Sequence, residues 1–118
     1  MLEEKALSRE AVERALSMPA ARVLVAAAIR KPMSVKALAQ QTDLPMASVY
    51  RHVAELVKDG ILVVERSALT PDGKAYDLFR SRIEGAHLAL EADHVEVGWK
   101  INEAVEDRIA KLWDKLAE

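Results

Sequence analysis

A chain of 118 residues with 51% apolar and 31% charged side chains can build one domain around one core, and it is too apolar to stay disordered. It has no cysteine, which excludes disulfides, thiolate zinc sites and thiol redox chemistry. The formal net charge of −2 lacks the basic footprint usual in nucleic-acid binders, but the charge is segregated: residues 30–58 carry five bases against two acids, a net of +3, and residues 84–118 carry four bases against nine acids, a net of −5.

The longest apolar run, 23–29, is far too short to span a bilayer. Residues 2–5 are acidic where a signal peptide would be basic, so a cytoplasmic protein with no membrane partner is expected. Residues 3–16 read as an amphipathic helix, with Leu7, Ala11, Ala15 and Leu16 on one face and Glu10, Glu13 and Arg14 opposite. Ser17 is placed to cap a second helix, and Pro19 suits its first turn, where no hydrogen bond is lost. That helix is expected to run to about residue 30. It is apolar on most sides (Val23, Leu24, Val25, Ala27, Ala28, Ile29) and belongs in the centre of the core.

Ser34 predicts the cap of a short third helix, 35–41, with Val35, Leu38 and Ala39 facing inward. Thr42-Asp43-Leu44 is a tight connection. Pro45 favours an extended Leu44 and opens a fourth helix, 45–58. Val49, Val53, Leu56 and Val57 form its buried stripe, and Gly60 supplies a left-handed stop. The run 61–66 is β-branched and predicts a strand. Thr70-Pro71-Asp72-Gly73-Lys74 is turn chemistry, after which 75–79 returns as a second strand. A period of two then continues through Ala86, Leu88 and Leu90 and through Val95, Val97, Trp99 and Ile101, predicting a second hairpin that turns near Ala92-Asp93. Asn102 is expected to cap a last helix, 103–117, whose apolar set is Val105, Ile109, Leu112, Trp113 and Leu116.

At 100° per residue, Ala47, Arg51, Ala54 and Lys58 point directly away from the buried stripe of the fourth helix, with Ser48 and Glu55 beside them. A helix fits the major groove of B-DNA, small residues permit close approach, and arginine reads guanine in two parallel hydrogen bonds. Lys58, two turns on, is better placed for phosphate. Tyr50 has two readings: a hydroxyl donated to phosphate, or a ring packed on the neighbouring helix.

The segments Ser34-Val35-Lys36-Ala37-Leu38-Ala39, Leu44-Pro45-Met46-Ala47-Ser48-Val49-Tyr50-Arg51-His52-Val53-Ala54-Glu55-Leu56 and Lys58-Asp59-Gly60-Ile61-Leu62 carry a family likeness. The stretch 34–77 resembles the winged-helix domain of ArsR/MarR-like transcription regulators, and the strand Tyr76-Asp77-Leu78-Phe79-Arg80-Ser81-Arg82 before a hairpin and a terminal helix is similar to small archaeal members. The resemblance implies an α+β fold, mainly helical with a small β wing: a winged helix-turn-helix over 1–82, with a dimerisation extension of the same domain over 83–118. It also implies that Ser48, Tyr50 and Arg51 face DNA and that the wing contributes Arg66 and Lys74. Metal-sensing members use cysteine or clustered histidine and carboxylate ligands, and thiolate sensing does not transfer to a chain without cysteine.

The expected DNA-binding set is therefore Ser34, Lys36, Met46, Ala47, Ser48, Tyr50, Arg51, Lys58, Arg66 and Lys74. Val105, Ile109, Leu112, Trp113 and Leu116 are the expected seam of a homodimer, because a leucine stripe with a tryptophan suits an interface. Covering the protomer's own core is the other use of that stripe. His52, His87 and His94 match no metal-ligand spacing, and no metal or other cofactor is expected. The chain shows no Gly-rich phosphate loop, no Gly-x-Ser-x-Gly elbow and no His-Glu-x-x-His, so an enzyme is not expected. Two functions follow: a homodimeric, sequence-specific regulator of transcription on double-stranded DNA, or a winged-helix protein-interaction module of the transcription or chromosome machinery. The acidic pI near 5.9 motivates the second. No small-molecule effector is legible.

Overall fold

Serine caps and left-handed turns set the element boundaries in the computed structural model, which describes residues 7–117. Ser8 accepts a hydrogen bond from the Ala11 amide at 3.1 Å and caps α1 (Arg9–Ser17). The helix therefore starts at Arg9, later than the expected residue 3; residues 3–6 of that expectation lie outside the described residues. Ser17 does not cap the next helix. It is the last residue of α1, and its hydroxyl donates back to the Arg14 carbonyl at 2.8 Å. The N-cap of α2 (Pro19–Ala27) is Met18, without a side-chain bond, and Pro19 takes the first helical position.

α2 stops at Ala27, short of residue 30, because other parts of the chain claim its last carbonyls. The Ala28 carbonyl accepts from the Ser81 amide at 2.9 Å, and the Ile29 carbonyl accepts from Arg80 Nε at 2.9 Å and Asn102 Nδ2 at 3.1 Å. Val23, expected in the core with its neighbours, is exposed, while Leu24, Val25 and Ala28 are buried.

Ser34 caps α3 (Val35–Thr42), accepting from the Ala37 amide at 3.0 Å. Asp43 turns the chain in the left-handed region at φ 59°, and α4 (Met46–Lys58) follows Pro45. At the far end Gly60 has φ 79°. Its amide bonds the Val57 carbonyl at 3.0 Å and the Ile61 amide bonds the Leu56 carbonyl at 2.9 Å, the paired closure of a Schellman stop. Buried residues of α1 to α4, including Val12, Leu24, Leu38 and Val49, meet Ile61, Leu62 and Ile83 in one core.

β1 (Leu62–Leu69) and β2 (Ala75–Ser81) form an antiparallel hairpin, the wing, longer at both strands than 61–66 and 75–79 because pairing carries regular structure past the apolar run. Met33 bridges Phe79 through two amide-carbonyl bonds of 2.8 Å and ties the base of the wing to the start of α3. The ladder shifts register between Val64 and Arg66, leaving Glu65 as the extra residue of a bulge. β3 (Ile83–Leu90) and β4 (Val95–Ile101) pair in a separate sheet, followed by α5 (Glu103–Ala117). Ala86, Val97 and Trp99 pack against the core, and the Arg9 guanidinium donates to the Val95 carbonyl, so this hairpin covers α1. Leu88 and Leu90, on the same alternation, stay exposed.

The whole is an α+β winged helix-turn-helix with a second hairpin and a terminal helix added. The additions are knotted to it where three segments cross. Asn102 Nδ2 donates to the Ser81 and Ile29 carbonyls at 3.1 Å, its amide donates to the Arg82 carbonyl at 2.8 Å, and the Arg82 amide donates to the Ile61 carbonyl at 2.9 Å. The Asn102 carbonyl also accepts from the Val105 and Glu106 amides and begins α5.

Candidate nucleic-acid interface

α4 owes its orientation to one stripe. Val49, Val53 and Leu56 are buried against α2, α3 and β1, which leaves the opposite face to solvent. Ala47, Arg51, Ala54 and Lys58 are all exposed on that face, as the helical period demands. Tyr50 is 59% exposed, so its ring projects from the helix rather than packing on a neighbour. Met46 at the front of the helix is exposed and Ser48 is half-buried. The Asp43 turn and Pro45 set α3 and α4 as a short helix propping a longer one, the arrangement that lets the second helix of a pair enter a groove.

Ser34 is half-buried, and its side-chain oxygen already accepts the capping bond of α3. Lys36, one position into α3, is exposed. On the wing, Arg66 and Lys74 are exposed, either side of a tip built by Thr70. Thr70 exchanges backbone bonds with Lys74 and Gly73, its hydroxyl oxygen accepts from the Lys74 amide at 3.0 Å, and Gly73 turns at φ 86°. Thr70 Oγ1 also bonds Asp72. The tip is thus an ordered turn that fixes the backbone of Lys74.

Charge bookkeeping separates cations that hold the fold from those that do not. Arg14 pairs with Asp59, Arg80 with Glu65, Arg82 with Glu106, and Lys100 with Glu84. The side chains of Lys36, Arg51, Arg66 and Lys74 have no hydrogen-bond or ion-pair partner among the described residues. An exposed, unpaired arginine has nothing intramolecular to give up on meeting a base or a phosphate.

One constellation was not anticipated from the residues. The bulge turns the Glu65 carboxylate inward, where it is 4% exposed and bonds Arg80 Nη1 at 3.0 Å, with Arg108 Nε of α5 at 3.6 Å. Beside it Arg82 Nε reaches Glu106 at 3.2 Å and Arg82 Nη1 donates to the Gly60 carbonyl at 3.2 Å. These pairs link wing, α4 stop and α5. The only trace in the sequence is an acid inside the β-branched run.

Val105, expected at a dimer seam, is 1% exposed within its own protomer and has no surface left to offer. It fills the angle where α5 leaves Asn102. Ile109 and Trp113 are half-buried, and Leu112 and Leu116 are exposed.

His94 lies in the turn of the second hairpin with Asp93 Oδ1 2.6 Å from Nδ1 and Glu96 Oε1 2.8 Å from Nε2. The Asp93 bond, then the Glu96 bond, raises its pKa above the ordinary histidine value. With both nitrogens engaged, the ring is clamped between carboxylates. Among the described residues no group of three histidine or carboxylate side chains is placed to hold a metal ion, and no helix is long and apolar enough to cross a membrane.

Comparison with known proteins is consistent with the helical half. Residues 11–65 match the family described as helix-turn-helix domain. No curated protein sequence matches the chain. Among solved structures, the chain is similar to the crystal structure of NolR from Sinorhizobium fredii, at 14% identity and a TM-score of 0.48, covering 93% of this chain and 94% of that one.

Proposed function

We propose that this protein binds double-stranded DNA sequence-specifically as a homodimer and regulates transcription, in the manner of cytoplasmic ArsR/MarR-like winged-helix regulators, and that it is not a catalyst. The observation that carries this reading is Arg51: exposed, unpaired, and opposite the buried stripe of a propped helix. In this reading Arg51 reads a base edge. Ala47 and Ser48 keep the helix close, Tyr50 donates to phosphate, and Lys36, Lys58, Arg66 and Lys74 contact the backbone on either side. The match of residues 11–65 to a helix-turn-helix family supports a DNA-binding role.

The test is selection of bound duplexes from a random pool at low salt. A pseudo-palindromic site is expected, with half-sites about 34–36 Å apart as two-fold symmetry requires. Arg51→Ala should cost about 1–3 kcal/mol at one position of each half-site and leave non-specific binding nearly unchanged. Its melting temperature should not move, since an exposed side chain without partners contributes little to stability. A pool that returns no enriched site would remove the reading. A nuclease-resistant protein partner retained by Arg51→Ala would replace it with the interaction module.

A further inference from the structure

Whether Arg66 of β1 meets the acid of β2, Asp77, is decided by the register of the wing. From the core outward the strands pair Leu62 with Ser81, Val63 with Arg80 and Val64 with Phe79. Continued without interruption, that count sets Glu65 opposite Leu78 and Arg66 opposite Asp77. Opposite charges directly across an antiparallel pair attract, so Arg66 would be neutralised within the wing. The observed ladder skips Glu65 instead, and every later pair moves by one: Arg66 faces Leu78, Ser67 faces Asp77 and Ala68 faces Tyr76. Asp77 Oδ1 accepts from the Ser67 hydroxyl at 2.9 Å, and the Arg66 side chain keeps no partner among the described residues. Cross-strand partners share a face and neighbours along a strand alternate. Arg66 therefore shares its face with Leu78 and Tyr76, and Asp77 occupies the other.

What the skip gains is a seat for the Glu65 carboxylate. The side chain is 4% exposed, bonds Arg80 Nη1 at 3.0 Å and lies 3.6 Å from Arg108 Nε. In the uninterrupted register it would sit across from the apolar side chain of Leu78. A bulge re-aims the side chains that follow it, and here the one re-aimed is a cation. We propose that Glu65 is a positioning residue for DNA binding: by bulging β1 it holds Arg66 one register away from Asp77 and leaves the guanidinium for a phosphate. The inference rests on the DNA-binding reading above and adds to it a buried acid that touches no nucleic acid itself.

Glu65→Val tests this, since it removes the carboxylate and suits a regular strand. In the free protein, nuclear Overhauser contacts across the wing should move Arg66 from Leu78 to Asp77. In salt titrations with a duplex, the slope of log affinity on log salt should lessen by about two in a dimer, as it should for Arg66→Ala, because each protomer loses one phosphate contact. Adding Arg66→Ala to Glu65→Val should then cost nothing more. Adding Asp77→Asn should recover at least about half of the lost slope, because the arginine is no longer neutralised. A variant weakened only by poor folding would show neither effect. Glu65→Gln keeps an acceptor for Arg80 and should keep both register and slope. If Glu65→Val does not fold, Glu65→Val with Arg80→Val removes both members of the buried pair together and carries the same test. An Arg66 that stays opposite Leu78 in the folded variant assigns the register to the Thr70 tip and overturns the proposal. A slipped register with an unchanged slope overturns it while sparing the DNA reading. A wild-type protein that binds no duplex overturns both, whichever register the variant adopts.

Discussion

Glu65 sits where the wing, the end of α2 and α5 meet, and its removal tests what the bulge is for. Arg80 is mostly buried and also donates to the Ile29 carbonyl, so it cannot simply swing out to water when its carboxylate is lost. Glu65→Ala should destabilise the protein by about 3 kcal/mol, the low end for breaking a buried pair because Arg80 keeps its carbonyl partner. Chemical denaturation measures this. A change below about 0.5 kcal/mol, the level of ordinary surface substitutions, would mean the pair is not closed in solution. His94 gives a test of opposite character at an exposed site. Its carboxylate partners raise its pKa, so the protonated form favours the folded hairpin. That contribution is complete below the ordinary histidine value of about 6.5 and is lost as pH rises through the higher folded value. The His94 ring resonances should titrate at higher pH in the wild-type protein than in Asp93→Asn or Glu96→Gln. Unchanged midpoints in both variants would show that the clamp does not form.

The elements that set the candidate interface depend on local chemistry, and that is why they were legible. Ser34, Pro45 and Gly60 each fix a boundary within four residues of themselves, and the stripe Val49, Val53, Leu56 fixes the rotation of α4 without reference to the rest of the chain. The same cap gives an element-scale prediction. Ser34→Ala leaves the Ala37 amide without its acceptor and should cost about 1 kcal/mol in thermal or denaturant unfolding. Binding of any duplex should weaken with it if α3 props α4, whereas unchanged affinity would detach α3 from the interface. Features that depend on distant partners were not legible. Ser17 is a good capping residue taken into the end of α1, so its hydroxyl turned back on its own helix. The Glu65 bulge exists only in the register with β2, and the burial of Val105 only in the crossing of residues 81–82 with Asn102. Leu88 and Leu90 alternate correctly and still face solvent.

At the scale of the molecule, the radius of gyration is 15.1 Å, above the roughly 13–14 Å of a compact domain this long, and the dimensions are 55 × 40 × 22 Å. The excess reflects a wing and a terminal helix that reach outward from a small helical core. Such a shape spreads few charges widely, so which charges meet the duplex matters more than the net of −2. In the proposed DNA-binding reading, the acidic stretch 84–118 would repel phosphate and the side chains of Lys36, Arg51, Arg66 and Lys74, without ion-pair partners among the described residues, would attract it, restricting docking to the α3, α4 and wing face. If Lys36, Lys58, Arg66 and Lys74 of two protomers each neutralise one phosphate, log affinity should fall with log salt at a slope of about −7, roughly ten-thousandfold between 50 and 200 mM. Lys74→Ala should lessen that slope by about two in a dimer and weaken all duplexes alike, whereas Arg51→Ala should weaken mainly the selected site. Titrations of the two variants across that salt range separate the roles. A wild-type slope near zero would mean that these cations do not face phosphate at all, and that the basic middle of the chain serves a protein surface instead.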